Sequence, residues 1–396
     1  MRCIDELKLE ELKGKRVLVR AGLDLPTDEK GEVSDLFRLK KAIPTLRYLA
    51  GAGARVIILT KIGRRETDTN APVSRALDKY LRATYVPDIF GHLATSAIAA
   101  MRDGEYLLLE NLQQDPGEKA NDPEFCARIA ALGDLYVNDC FPSAHRESAG
   151  MVGVPKLLPS YAGLQFRDEV VELTKALQPE KPGFAIIGGA KFETKVPLIQ
   201  ALLKNYDHVF IAGALANDVY RAQGLPVGRS KVSDGIPDPA VIGHPRFIAP
   251  NDVTAELSDG HAYVKKPKDV IADDKIVDIG PDSVALIAPY IERANFILWN
   301  GPTGLYEGGY VSYSHAIAEI IAARVAAGAH AVIGGGDTIA ALQGSGISED
   351  HLGFLSTGGG AMLEFLVKGT LPAIDALQKG RDTTRFIAPP RTSLYA

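Results

Sequence analysis

Four glycine-rich stretches in the second half of the chain hold the side chains best suited to chemistry. They are Gly188-Gly189-Ala190-Lys191, Asn300-Gly301-Pro302-Thr303-Gly304, Gly334-Gly335-Gly336-Asp337-Thr338 and Ser356-Thr357-Gly358-Gly359-Gly360. Glycine lets a backbone approach a ligand closely and offer its N–H groups. A helix N-terminus adds partial positive charge, and the two together make a phosphate cradle. Any one of these stretches reads equally well as a tight turn. Four in one half of the chain, two with a triple glycine, favour anion binding. Lys191 follows its glycines directly and Lys195 lies one helical turn on, where cations would meet the oxygens of a transferring phosphoryl group. Asp337 opens a helical pattern. It can hold a Mg²⁺ ion shared with nucleotide phosphates, or act as a helix cap, and the two are compatible.

The familiar phosphate motifs are missing. The chain has no Gly-x-x-x-x-Gly-Lys-Ser/Thr, which excludes a Walker-type loop. Neither triple glycine completes Gly-x-Gly-x-x-Gly, because Ile339 and Leu363 occupy the last positions.

The elements that must position these loops alternate in type. Short β-branched runs at Arg16 to Arg20, Arg55 to Thr60, Tyr106 to Glu110 and Leu135 to Asn138 read as buried strands. So do Phe184 to Gly188, His208 to Ala212, Phe296 to Asn300 and Ala331 to Gly335. Amphipathic segments lie between them. The spacing of Leu36, Leu39, Ile43, Leu46 and Leu49 predicts a helix over Leu36 to Ala52, and Ile317, Ile320, Ile321 and Val325 predict one over Tyr313 to Val325. This is the pattern of βαβ units and parallel sheets. Two α/β domains are more economical than one very wide sheet. Asp168 to Leu177 reads as a helix, and the Pro-rich stretch Gln178 to Pro182 after it is the candidate boundary. The end of the chain, with Arg381, Arg385 and Arg391, reads as a polar tail.

The 396 residues, 46% hydrophobic and 23% charged, suit a globular protein with two cores, and the net charge of -5 gives no reason to expect nucleic acid as a partner. Three scattered cysteines, Cys3, Cys126 and Cys140, argue against a disulfide framework or structural zinc. The N-terminus lacks a signal-peptide core, and no apolar run is long enough for a bilayer. A cytoplasmic monomer is the expectation.

The sequence resembles the phosphoglycerate kinase family. The resemblance rests on Tyr136-Val137-Asn138-Asp139, Ala144-His145-Arg146, Gly188 to Lys195, Trp299 to Gly304, Gly334 to Thr338 and Thr357 to Ala361. It implies two Rossmann-like domains joined by a hinge helix and facing a cleft. Residues 1–167 would bind the acceptor, 168–182 form the hinge, 183–365 bind nucleotide, and 366–396 return to the first domain. The implied reaction is reversible phosphoryl transfer from Mg-ATP to a carboxylate, giving an acyl phosphate and ADP. The implied catalytic set is Arg38, Lys191, Gly358, Gly359 and Gly360. For the nucleotide it implies Gly189, Lys195, Gly213, Asn300, Gly301, Pro302, Glu307, Gly335, Asp337 and Thr338, with Asp337 at the metal.

For the acceptor it implies Arg20, Gly22, Asp24, Lys61, Arg64, Gln113, His145 and Arg146. Four of these depart from the family pattern: Gly22 stands in place of Asp, Asp24 of Asn, Lys61 of His and Gln113 of Arg. The charge changes sum to zero, but a bidentate guanidinium grip is lost at Gln113. Three readings stay open. One is a phosphoglycerate kinase with a variant pocket. Another is a kinase of this family acting on a different small anionic acid. The third is a catalytically weak nucleotide-binding interaction protein. The plain alternatives are a surface arginine for Arg38, a satisfied buried histidine for His145, and solvated loop charges for Lys61 and Arg65. A tail arginine replacing the missing guanidinium is a further possibility.

Overall fold

The computed structural model describes residues 1–190, 192–235 and 237–379. Lys191 and the tail arginines lie outside the described residues. The chain divides into two compact units. One comprises Met1–Asp168 with the described residues from Thr370, and the other Glu169–Gly369.

In the first unit six strands run in parallel: β1 (Arg16–Ala21), β2 (Arg55–Leu59), β3 (Ala83–Tyr85), β4 (Tyr106–Leu108), β5 (Leu135–Asp139) and β6 (Ser160–Ala162), in the order β3-β4-β2-β1-β5-β6. Successive side chains of a strand point to opposite faces, and both faces here are covered. Val17 and Val19 pack with Leu39, Ile43 and Leu46 of the helix Phe37–Gly51. Leu18 packs with Ile98, Phe125 and Ile129 on the other side. Burial on both faces explains why these strands read as continuous apolar runs. Register sets Arg20 beside Leu59 and Asn138, so the loops leaving β1, β2 and β5 emerge side by side.

The second unit repeats the plan. Its parallel sheet contains β7 (Gly183–Ile187), β8 (His208–Ile211), β9 (Phe247–Ile248), β13 (Phe296–Asn300), β14 (His330–Gly334) and β15 (Phe354–Ser356), in the order β15-β14-β13-β7-β8-β9. Asn300 is level with Ile187 and with Gly334, and Gly334 with Ser356. The four glycine-rich stretches therefore start from aligned strand ends. An antiparallel sheet of β10 (Val253–Glu256), β11 (Ala262–Lys265) and β12 (Lys275–Ile279), which the sequence pattern does not predict, is added here.

Most element boundaries differ from expectation by a residue, and two differ by more, each where a buried carboxylate takes up backbone N–H groups. The helix predicted from Asp168 runs Leu164–Leu177, because the buried Asp139 carboxylate accepts the Phe166 N–H at 3.0 Å and fixes an earlier start. β4 ends at Leu108 rather than Glu110. The Glu110 carboxylate turns to the Asn70 N–H and the Thr69 hydroxyl, each at 2.8 Å. The helix after β13 runs Ser312–Ala326, one residue beyond the predicted span at each end. Among the described residues no helix is long and apolar enough to cross a membrane.

Candidate active site

In an open parallel sheet, ligands bind beyond the carboxyl ends of the strands, at the point where strand order reverses. In the second unit that point lies between β7 and β13. The loops leaving these strands press backbone to backbone. A Cβ on Gly188 would stand 2.2 Å from the Pro302 carbonyl oxygen, and one on Gly301, which has φ +94°, would stand 2.4 Å from the Gly188 carbonyl carbon. Only glycine fits either place.

Two side chains tie the next loop in. The buried Thr338 hydroxyl donates to the Gly334 carbonyl at 2.8 Å and accepts the Gly301 N–H at 2.7 Å. The buried Asn300 amide donates to the same carbonyl at 2.9 Å. Thr338 and Asn300 thus act here as positioning residues, clamping two glycine-rich loops to each other. The triple glycine after β15 is held by Glu169, which the sequence reading passed over. Its fully buried carboxylate accepts from the Ser356 hydroxyl at 2.7 Å and from the Thr357 N–H and hydroxyl at 2.6 Å each.

Beside these loops lies a cavity of about 400 Å³ with largely apolar walls. Its lining includes Gly189, Gly213, Pro302, Leu305, Glu307 and Asp337. Apolar walls with a few polar groups at one end suit a nucleoside. Lys195, Asn300, Gly301, Gly335 and Thr338 do not line it. Lys195 is near by, its Cε 3.7 Å from where a Cβ of Gly189 would be. Burial pushes the Lys195 amine down, while the Asp337 charge pulls it back up. The Tyr306 hydroxyl donates to Asp337 at 3.2 Å. Among the described residues no group of three or more acidic, histidine or cysteine side chains converges on a metal position. A lone carboxylate fits a Mg²⁺ that keeps its waters and is shared with phosphates, rather than a cation held by protein alone. Asp278, unremarked in the sequence, also lines the cavity. Burial lifts its carboxyl from the ordinary 3.8 to about 7, against the opposing pull of hydrogen bonds from Thr303 and the Ile279 N–H.

The first unit offers a different kind of space at its own switch point, where β1 and β5 are neighbours. A cavity of about 510 Å³ is lined by Arg20, Lys61, Arg64, Gln113 and Arg146, all singled out from the sequence. Glu118, Lys119, Ser143, Glu147 and Ser148 complete it. Gly22, Asp24, Arg38 and His145 do not line it. Asp24 instead braces the loops: its Oδ1 accepts the Gly63 N–H at 3.1 Å and its carbonyl accepts from Arg38 Nη1 at 2.9 Å. Buried Asn111 accepts the Ile62 and Gln113 N–H groups and donates to the carbonyls of Ile62 and Asp68, stitching the loop after β4 to the loop after β2. Asp68 accepts the Arg64 and Arg65 N–H groups at 2.9 Å each, which keeps its carboxyl below the usual range. Arg20 is buried and its Nε has no hydrogen-bond partner among the described residues. Burial, then the neighbouring Arg146 charge, lowers the Lys61 amine. Cations crowded and partly desolvated in this way favour an anion between them.

The sequence model of the family described as phosphoglycerate kinase matches residues 4–369. A phosphoglycerate kinase of Sinorhizobium fredii is 39% identical over 391 residues, covering 94% of this chain and 98% of that protein. One of Rhodopseudomonas palustris is 39% identical over 394 residues, covering 93% and 97%. Among solved structures, phosphoglycerate kinase from Pyrococcus horikoshii superposes with a TM-score of 0.84 at 28% identity, covering 96% of this chain and 99% of that one. The Coxiella burnetii structure gives 0.78 at 32% identity, covering 95% and 98%.

Proposed function

The chain belongs to the phosphoglycerate kinase family and is a phosphotransferase with a carboxyl group as acceptor; we propose that it transfers the γ-phosphoryl group of Mg-ATP to 3-phosphoglycerate, reversibly, giving 1,3-bisphosphoglycerate and ADP. The observation that carries this reading is the charge of the first unit's cavity. Five cations (Arg20, Lys61, Arg64, Lys119 and Arg146) face two carboxylates (Glu118 and Glu147), a net of +3. A phosphorylated carboxylic acid carries roughly −1.5 to −2 on its phosphate at neutral pH and a further negative charge on its carboxylate.

Residues 1–167 bind the acceptor in this reading, 183–365 bind nucleotide, 168–182 serve as the hinge, and the chain from 366 serves the acceptor domain. The apolar cavity takes the base and sugar, with Glu307 at the ribose. Backbone N–H groups of the loops held by Asn300, Thr338 and Glu169 face the phosphates. Asp337 would hold Mg²⁺, which supplies charge neutralisation across the phosphate oxygens when bound. Arg38, steadied by the Asp24 carbonyl, neutralises the acceptor carboxylate, and Lys191 accompanies the transferring group. In-line attack needs the reacting atoms about 3–3.5 Å apart, so closure about the hinge precedes transfer and expels water. No covalent intermediate with the protein is required. A cytoplasmic setting and a monomeric state belong to the same reading.

Gln113 favours a second reading, the same chemistry on another small anionic acid, because it lines the cavity as a neutral side chain. A coupled assay of ATP consumption across a panel of small acids, 3-phosphoglycerate included, decides between them. Turnover highest with 3-phosphoglycerate supports the first. Turnover with another acid and none with 3-phosphoglycerate overturns it.

A further inference from the structure

Lys119 was not among the residues picked out from the sequence, yet it lines the cation-rich cavity. It sits in the last turn of the short helix Pro116–Ala120, and the geometry of that helix is fixed on both sides. Asp115 caps its start, accepting the Gly117 N–H at 2.8 Å. Glu118, the residue before Lys119, is buried and accepts from the Ser148 hydroxyl and the Gly150 N–H, each at 2.9 Å. Asn121 ends the helix in the left-handed conformation at φ 52°. The backbone carrying Lys119 is therefore anchored to the cavity wall through its neighbours.

The side chain itself is exposed, and its ammonium forms no ion pair with any described residue. The deeper cations differ. Arg20 is buried near Glu118: a Cβ on Gly150 would meet Arg20 Nε and both Glu118 oxygens at 3.2 Å. Lys61 is partly desolvated and repelled by Arg146. Lys119 alone combines a place in the lining, a fixed backbone and a hydrated ammonium on a flexible stem. Gln113, across the same lining, offers no charge.

We propose that Lys119 is a specificity-determining residue of the acceptor cavity, closing on the phosphate end of the acceptor and supplying the cation that Gln113 lacks. The proposal rests on the acceptor reading of this cavity. A lysine at this rim grips phosphate as a point charge, without the planar match of a guanidinium fork. It therefore separates phosphorylated from unphosphorylated acids more than it orients them.

The test measures calorimetric binding of 3-phosphoglycerate, D-glycerate and Mg-ATP, with steady-state KM values, for the full chain and for Lys119→Ala, Lys119→Arg and the double variant Lys119→Ala/Gln113→Arg. Loss of one charge-assisted contact should weaken 3-phosphoglycerate about tenfold in Lys119→Ala and leave D-glycerate and Mg-ATP within about twofold. Lys119→Arg should retain binding, and the double variant should recover it. An unchanged affinity for 3-phosphoglycerate in Lys119→Ala overturns the proposal and leaves the assigned reaction standing. So does an equal loss for D-glycerate and 3-phosphoglycerate, which would mean a merely structural role. A wild-type protein that binds Mg-ATP but neither binds nor turns over 3-phosphoglycerate overturns both.

Discussion

Asp278→Asn should flatten the pH dependence of stability in the second unit. Burial raises the Asp278 carboxyl from 3.8 to about 7. Between those pH values the folded chain keeps a proton that the unfolded chain has lost. Stability contributed by this group is thus complete below about pH 4 and declines as pH rises through 7. At about 1.4 kcal/mol per pH unit, the full decline is on the order of 4 kcal/mol. Asparagine keeps an oxygen for the Ile279 N–H, bound at 2.8 Å, but cannot ionise. Carboxylates with lowered values, such as Asp68 and Asp88, give the opposite slope in more acidic solution. They are common to both proteins and cancel in the difference, as does Asp139, raised to about 6 in the other unit. Trp299, the single tryptophan, is fully buried in β13, so its fluorescence during urea unfolding reports the relevant unit. The wild-type unfolding free energy from urea titrations should fall between about pH 4.5 and 8 by more than that of the variant, by a margin of about 2–4 kcal/mol. Parallel pH profiles for the two proteins would refute the assignment.

Thr338→Ala should leave the Gly301 N–H and one bond of the Gly334 carbonyl unmade. The expected cost is about 1–3 kcal/mol of stability, with a raised KM for ATP. Thr338→Ser should restore both, and an unchanged KM in Thr338→Ala would show that the clamp does not matter for binding. At Lys61, burial and Arg146 lower the amine from its ordinary value of 10.5. The cation is lost as pH rises through the lowered value, so the acceptor KM should climb at a pH below that of an ordinary lysine. Lys61→Arg, which stays charged, should delay that rise. A KM that is flat to about pH 10 in the wild type would contradict it.

The strands and glycine-rich loops of the second unit are legible in the sequence because their signal is local. A glycine run directly after a buried β-branched strand predicts its own position, and β7, β13, β14 and β15 each end at one. What was missed depends on contacts between distant residues. Glu169 reaches Thr357 across 188 positions, and Glu118 reaches Gly150 across 32. Neither carboxylate is unusual in its own sequence neighbourhood. Asp278 reads as an ordinary acid until the fold buries it. The antiparallel β10-β11-β12 sheet escaped for a different reason. β11 leaves Tyr263 and Val264 about half exposed, and a bulge between Thr254 and Ala255 interrupts the pairing of β10 with β12, so the alternation is short and broken. In the first unit the fold gathers Arg20, Lys61, Arg64, Gln113 and Arg146 of the expected set around one cavity and leaves Gly22, Asp24, Arg38 and His145 outside its lining. Asp24 braces the loops and holds Arg38 by its carbonyl, while Lys119 stands in the cavity wall.

That division has a consequence for how such a protein changes over time. The loops after β1, β2 and β4 are stitched by Asn111, Asp68, Glu110 and Asp24, and none of these lines the cavity. Lys61, Gln113 and Lys119 line it but donate or accept few of the bonds that hold the loops. Mutation at Lys61, Gln113 or Lys119 can therefore reshape the wall with little loss of foldedness, whereas Glu118, which lines the cavity and also holds Ser148 and Gly150, is less free to change. In the second unit, Thr338 and Asn300 both knit the glycine-rich loops and stand within them. A change at either residue there unmakes bonds that hold two loops at once.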